Sequence, residues 1–233
     1  MIGPLLAAVL AAAPAQGLYF EQTTALAQGG ALAPRGVRSR VWCSGRRMRL
    51  EAADAPGGPA LVLRLDEGRV LRLDPESRTA IELDAAQLRA RSASDAAVAA
   101  GLMGGLGEER LRTSPLQKQR TIAGHACQGF RIASRSVVVE TWVAQDVPAR
   151  AETFADFLEW SGAAQALSGL VAAIRALPGF PLETRMRVNV LGELKETVST
   201  VTLIRAAAVP AERFEVPAGW RLVDERRPPE VAP

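Results

Sequence analysis

Alternation of apolar and ionic residues at every second position constrains this chain more than any other feature. Leu61-Val62-Leu63-Arg64-Leu65-Asp66 carries leucine at each odd position, while the even positions turn to Arg and Asp. Residues 69–74 (RVLRLD) repeat the theme, as do residues 37–42 and 46–51. In residues 184–190, Met186, Val188 and Val190 alternate with Arg185, Arg187 and Asn189. A period of two is the period of a β-strand. A sheet with one apolar and one charged face is antiparallel and half solvated, because parallel strands buried on both sides would strand those arginines away from water.

Strands are expected over residues 18–24, 37–42, 46–51, 61–66, 69–74, 79–83, 120–133, 137–144, 182–190 and 193–205. Glu67-Gly68 reads as a tight two-residue hairpin connection, and Gly192 marks a second hairpin. Two segments break the pattern. Residues 85–106 are Ala-rich and of helical propensity. Residues 153–177 carry Phe154, Phe157, Leu158, Ala164, Leu167, Leu170, Val171 and Ile174 at helical spacing, and Pro178-Gly179 ends the run. A wide twisted sheet curls. The expectation is therefore an α+β fold: a curved antiparallel sheet, an incomplete β-barrel, with helices packed across its concave face. The mouth of such a half-barrel is apolar and suits a greasy ligand. The residues expected to line it are Met48, Leu50, Leu63, Leu65, Leu71 and Met186 from the strands, with Phe154, Phe157, Leu158, Leu167, Leu170, Val171 and Ile174 from the helix.

With 233 residues, 48% of them apolar, the chain suits one domain with a substantial core. Its 28 basic and 25 acidic residues leave a net charge of +3, too balanced for a dedicated nucleic-acid binder, and its basic residues lack interleaved stacking aromatics. Residues 1–17 are apolar or small, the apolar run Leu5 to Ala13 is too short to span a bilayer, and Ala13-Pro14-Ala15 has the small-x-small form of a signal peptidase site. The expected organisation is a signal peptide at 1–17, one half-barrel domain at 18–223 and a flexible Pro-rich tail at 224–233. The product is periplasmic or secreted, with no transmembrane segment and with peripheral membrane contact open to it through outer-face arginines such as Arg38, Arg40, Arg47, Arg49, Arg64, Arg185 and Arg187. Interleaved acidic residues at Glu51, Asp66 and Glu183 favour cross-strand pairing for those same arginines.

Cys43 and Cys127 are the only cysteines and His125 the only histidine. The two cysteines form either one disulfide, in keeping with export, or two separate buried thiols. His125 and Cys127 share a strand face, but residues two apart on a strand stand about 6.5–7 Å apart and point in parallel, a poor arrangement for a nucleophile and its base. One His and two distant Cys do not make a zinc site. Calcium-loop, nucleophile-elbow and phosphate-loop patterns are missing. No catalytic residue, metal or cofactor is expected.

Taken in order, VWCSGRRMRLE, RVLRLDPESRTAIELD, AGHACQGFRI and VVVETWVAQDV resemble the DUF4412 family. Met48 and Arg49, Leu73 to Pro75, Gly124, Cys127, Phe130, Ile132, Trp142 and Asp146 stand in the places of its short motifs. More distantly, the layout is similar to LolA/LolB-like periplasmic lipoprotein carriers. That resemblance implies an incomplete antiparallel barrel with helices across an apolar cavity, and a lipid or a lipoprotein acyl chain as partner. A second reading of the same fold is a periplasmic interaction module whose concavity is filled by its own helices.

Overall fold

The computed structural model describes residues 16–84, 111–147 and 168–224, apart from 29–30, 33–35, 136 and 191–192, together with Ala149, Thr153, Ala155 and Asp156. Most of the leader segment, the Ala-rich segment 85–106, the tail beyond Asp224, and Phe154, Phe157, Leu158 and Leu167 lie outside the described residues.

One sheet organises the described chain. Its strands are β1 (Gln16–Gln28), β2 (Ala31–Leu32), β3 (Val37–Ser44), β4 (Arg47–Ala52), β5 (Ala60–Arg64), β6 (Arg69–Asp74), β7 (Thr79–Asp84), β8 (Arg112–Ile122), β9 (His125–Ala133), β10 (Val137–Ala144), β11 (Phe180–Val190), β12 (Glu193–Ala208) and β13 (Arg221–Asp224). They lie in the order β13-β7-β6-β5-β4-β3-β1-β12-β11-β10-β9-β8, with the short β2 paired to β1. Every pair is antiparallel except β7–β13, which is parallel. Alternation carries the pattern into space. Along β3 the burial runs exposed, exposed, buried, then strictly alternating, so that Val41 and Cys43 enter one face and Trp42 the other.

Two local expectations are corrected. Residues 120–133 do not form one strand: Ala123 and Gly124 both adopt positive φ (50° and 86°) and turn the chain between β8 and β9. Two successive left-handed residues match the twist of a tight hairpin. The β5–β6 connection is four residues, not two, because Arg64 pairs with Arg69 and Gly68 alone takes positive φ. There the Arg64 guanidinium gathers Asp66 and Glu67 around the loop. β13, which carries no alternation long enough to announce it, is an addition to the expected strands.

The sheet is curved. Leu50 on β4 and Phe180 on β11 are four strand spacings apart, about 19 Å on a flat sheet, yet both line one cleft. The Phe20 and Phe180 rings, two strands apart, meet edge to face at 5.6 Å. The face carrying Phe20 is therefore concave. A register shift at Trp142/Val143, opposite Pro181 and Glu183, leaves Leu182 as an extra residue at this bend, and bulges bend the strands that carry them.

One helix is described, α1 (Ser168–Arg175). Leu170, Val171 and Ile174 pack with Ile132, Val137, Val139, Met186 and Val188. The register runs Leu26–Thr197–Met186–Val139–Ile132 across five strands. α1 therefore covers the side of β9–β11 that carries Ile132, Val139 and Met186, opposite to Cys127, Trp142 and Ala144.

The outer face is covered at one end. After β12 the chain returns over β4–β7, where a 3-10 turn, Ala211–Phe214, buries Phe214 completely against Val62, Leu71, Leu73 and Ala80. Arg64, expected in solvent, has a side chain only 4% exposed and reaches Glu215 at 2.7 Å. Arg49 donates to the Arg213 carbonyl at 3.0 Å, and the Arg213 guanidinium lies over Trp42. The alternation that sends these arginines outward is the expected one; a returning C-terminal strap then covers them.

Candidate functional site

The concave cleft is lined by Phe20 and Gln22 of β1, Val41 of β3, Met48 and Leu50 of β4, Phe180 of β11, and Thr153. β1, β3 and β4 supply their apolar side chains by alternation. The bend at Leu182 brings Phe180 over to meet them. Gln22 and Thr153 are the polar members. The enclosed space is about 10 Å³, at the lower limit for a single water and far below the roughly 150 Å³ cavity that accepts benzene. The surrounding side chains are closely packed: Phe20, Val41, Met48, Leu63, Val70, Phe180 and Leu182 are all buried.

The residues expected to line a ligand cavity are divided by the structure. Met48, Leu50, Leu63 and Leu65 belong to the inner cluster, and the first two border the cleft. Leu170, Val171, Ile174 and Met186 gather in a second cluster beneath α1. Leu71 points the opposite way, into the layer under the C-terminal strap. Its neighbour Val70 takes the inward place, as period two demands. Phe20, Val41 and Phe180 were missed as lining residues. The strand pattern over 18–24 already pairs Leu18 with Phe20 on one face, whereas Phe180 sits between Gly179 and Pro181 and shows no alternation.

Cys43 and Cys127 are free thiols, both buried in the inner cluster. Burial pushes the Cys43 thiol up to about 12. Burial likewise raises Cys127, whose Sγ donates to the His125 carbonyl at 3.4 Å rather than to the imidazole. His125 Nδ1 instead lies 3.0 Å from Asp146 Oδ2, and this bond holds the Asp146 carboxyl below its ordinary range. A nucleophilic cysteine needs a lowered pKa and a base at its sulfur; this pair has neither. Among the described residues no three of His, Cys, Asp and Glu gather as metal ligands, and no described helix is long and apolar enough to cross a membrane.

On the face of β8–β12 opposite α1 the ionic residues interlock. Glu140 lies between Arg131 at 3.3 Å and Arg187 at 3.1 Å, Glu196 is 3.3 Å from Arg185, and Glu183 is 2.5 Å from Arg120. The Arg120 guanidinium also covers the Trp142 ring at 4.6 Å.

Residues 107–220 match the DUF4412 family, described as a domain of unknown function. No curated protein matches the chain. Among solved structures, the chain is similar to PNGF-II with a TM-score of 0.38 and 11% identity, covering 91% of this chain and 31% of that one. The chain thus spans about a third of the PNGF-II length. An uncharacterized conserved protein from Thermus thermophilus gives a TM-score of 0.45 and 9% identity, covering 90% of this chain and 91% of that one. MucB, in complex with MucA(peri), gives 0.42 and 14%, covering 89% and 57% respectively.

Proposed function

We propose, for a chain whose residues 107–220 match DUF4412, an exported, non-enzymatic binding protein with a LolA-like incomplete barrel, in which residues 18–223 take up the hydrocarbon chain of a lipid or of an acylated protein. One observation carries this reading: strands up to four places apart bring Phe20, Val41, Met48, Leu50 and Phe180 together in a concave cleft whose polar members are Gln22 and Thr153. Hydrocarbon burial supplies about 0.8 kcal/mol per methylene, so ten methylenes provide about 8 kcal/mol, enough for micromolar affinity before the cost of opening is subtracted. Opening is required, because the cleft holds only about 10 Å³.

That small volume favours a second reading, an interaction module with a filled core. Extraction of lipid from the natively purified protein, followed by titration with a solvatochromic acyl dye, separates the two. The binding reading expects recovered lipid and one saturable dye site, lost in Leu50→Trp, which fills the cleft. A clean extract and a protein without a dye site leave the filled core.

A further inference from the structure

We propose that the face of β8–β12 opposite α1 is a docking plate for an anionic phospholipid surface. The register places Arg112, Ala133, Val138, Arg187 and Glu196 in one row across five strands, and Ser114, Arg131, Glu140, Arg185 and Val198 in the next. Arg120 stands two rows further along, over Trp142. Five arginines and the three carboxylates Glu140, Glu183 and Glu196 share this face, a local balance of 5 − 3 = +2.

The two signs stand at different heights. The Arg120, Arg131, Arg185 and Arg187 side chains are 46%, 46%, 38% and 34% exposed, against 20%, 12% and 19% for Glu140, Glu183 and Glu196. Arg112 is exposed as well. Water, and anything that approaches from it, meets guanidinium heads first and carboxylates beneath them. The C-terminal strap, which hides Arg49 and Arg64, packs on β4–β7 and leaves β8–β12 uncovered.

Charge complementarity selects the partner class. Guanidinium presents a planar fork of donors that matches phosphate oxygens. The donors are spread over five strands, about 19 Å across at 4.8 Å per strand. That layout is a plate rather than a groove. It fits a two-dimensional array of phosphates better than a single acidic peptide. The plate adjoins the cleft wall, because Arg120, Cys127, Ala144 and Phe180 stand in one row; vesicle binding and acyl-dye uptake are read separately, so this proposal stands whether or not the cleft takes a ligand.

Sedimentation of the full chain with vesicles tests it, comparing phosphatidylcholine alone with a mixture holding about a third phosphatidylglycerol. Binding is expected to the anionic vesicles only, and to weaken as salt is raised. Arg112→Glu is expected to weaken it about thirtyfold, from the surface contribution of two charge units. Arg131→Gln is expected to weaken it about fivefold with an unchanged melting midpoint. Arg221→Glu, on the distant β13, makes the same net charge change as Arg112→Glu and is expected to leave binding intact. Equal binding to neutral vesicles, no binding to anionic ones, or an equal loss in Arg221→Glu overturns the proposal. So does capture by polyglutamate without capture by vesicles, which points to an acidic protein partner.

Discussion

Replacing Phe180 with alanine tests the curvature and the cleft together. The Phe180 ring is 1% exposed and meets Phe20 at 5.6 Å across an intervening strand. On a flat sheet the two rings would stand about 9.5 Å apart and Phe180 would lose little on truncation. In the curled sheet its removal takes away a fully buried side chain, an edge-to-face partner and the wall of a cleft that is already nearly full. Buried Phe→Ala changes cost about 3–5 kcal/mol. For a chain of this size that corresponds to a fall in melting midpoint of about 6–20 °C. Chemical denaturation read by circular dichroism gives the free energy directly. The vacated ring also leaves an apolar space much larger than the native 10 Å³, and such spaces take benzene. The variant, unlike the parent, should therefore be stabilised by benzene in a concentration-dependent way. A loss below about 1 kcal/mol, against that range for a packed ring, would refute both the ring contact and the curl deduced from it.

Cys43 makes stability fall in alkali. Its thiol titrates near 9 when unfolded and at about 12 when folded, so the unfolded chain gives up the proton first. The native state is unaffected below pH 9 and loses up to about 4 kcal/mol between pH 9 and 12, at 1.36 kcal/mol per unit. Cys43→Ala should flatten that slope; an unchanged pH profile refutes the burial. Gly179→Ala places a Cβ 2.2 Å from the Ala144 carbonyl oxygen, and forcing backbone apart at a packed site is expected to cost about 1–3 kcal/mol; a neutral substitution in a denaturation series would mean the two strands do not approach this closely.

The zigzag of side chains made the strands, and which of their residues share a face, legible in advance. Period two is a local property: Val41 and Cys43 must point one way and Trp42 the other, whatever the rest of the chain does. Met48 and Leu50 were thereby placed on the inner surface before any coordinates. Leu71 shows how easily an apolar run misleads, since Val70-Leu71 offers two apolar neighbours and only one of them can face inward.

What lies over each face is a separate matter, settled by residues far away in sequence. Arg64 and Arg185 occupy equivalent outward positions in similar alternating runs. Arg64 is buried because Phe214 and Glu215, some 150 positions later, fold back onto its strand; Arg185 remains 38% exposed. Phe180 meets Phe20 where register shifts at Leu182 and Thr202 interrupt the strands around them. The sequence by itself determined which way side chains point, because backbone geometry dictates that residue by residue. The curl itself was expected from the width of the sheet; tertiary structure alone decided where it bends, how far the cleft closes and which arginines stay exposed, because each depends on non-local packing and on which segment happens to return over which strand.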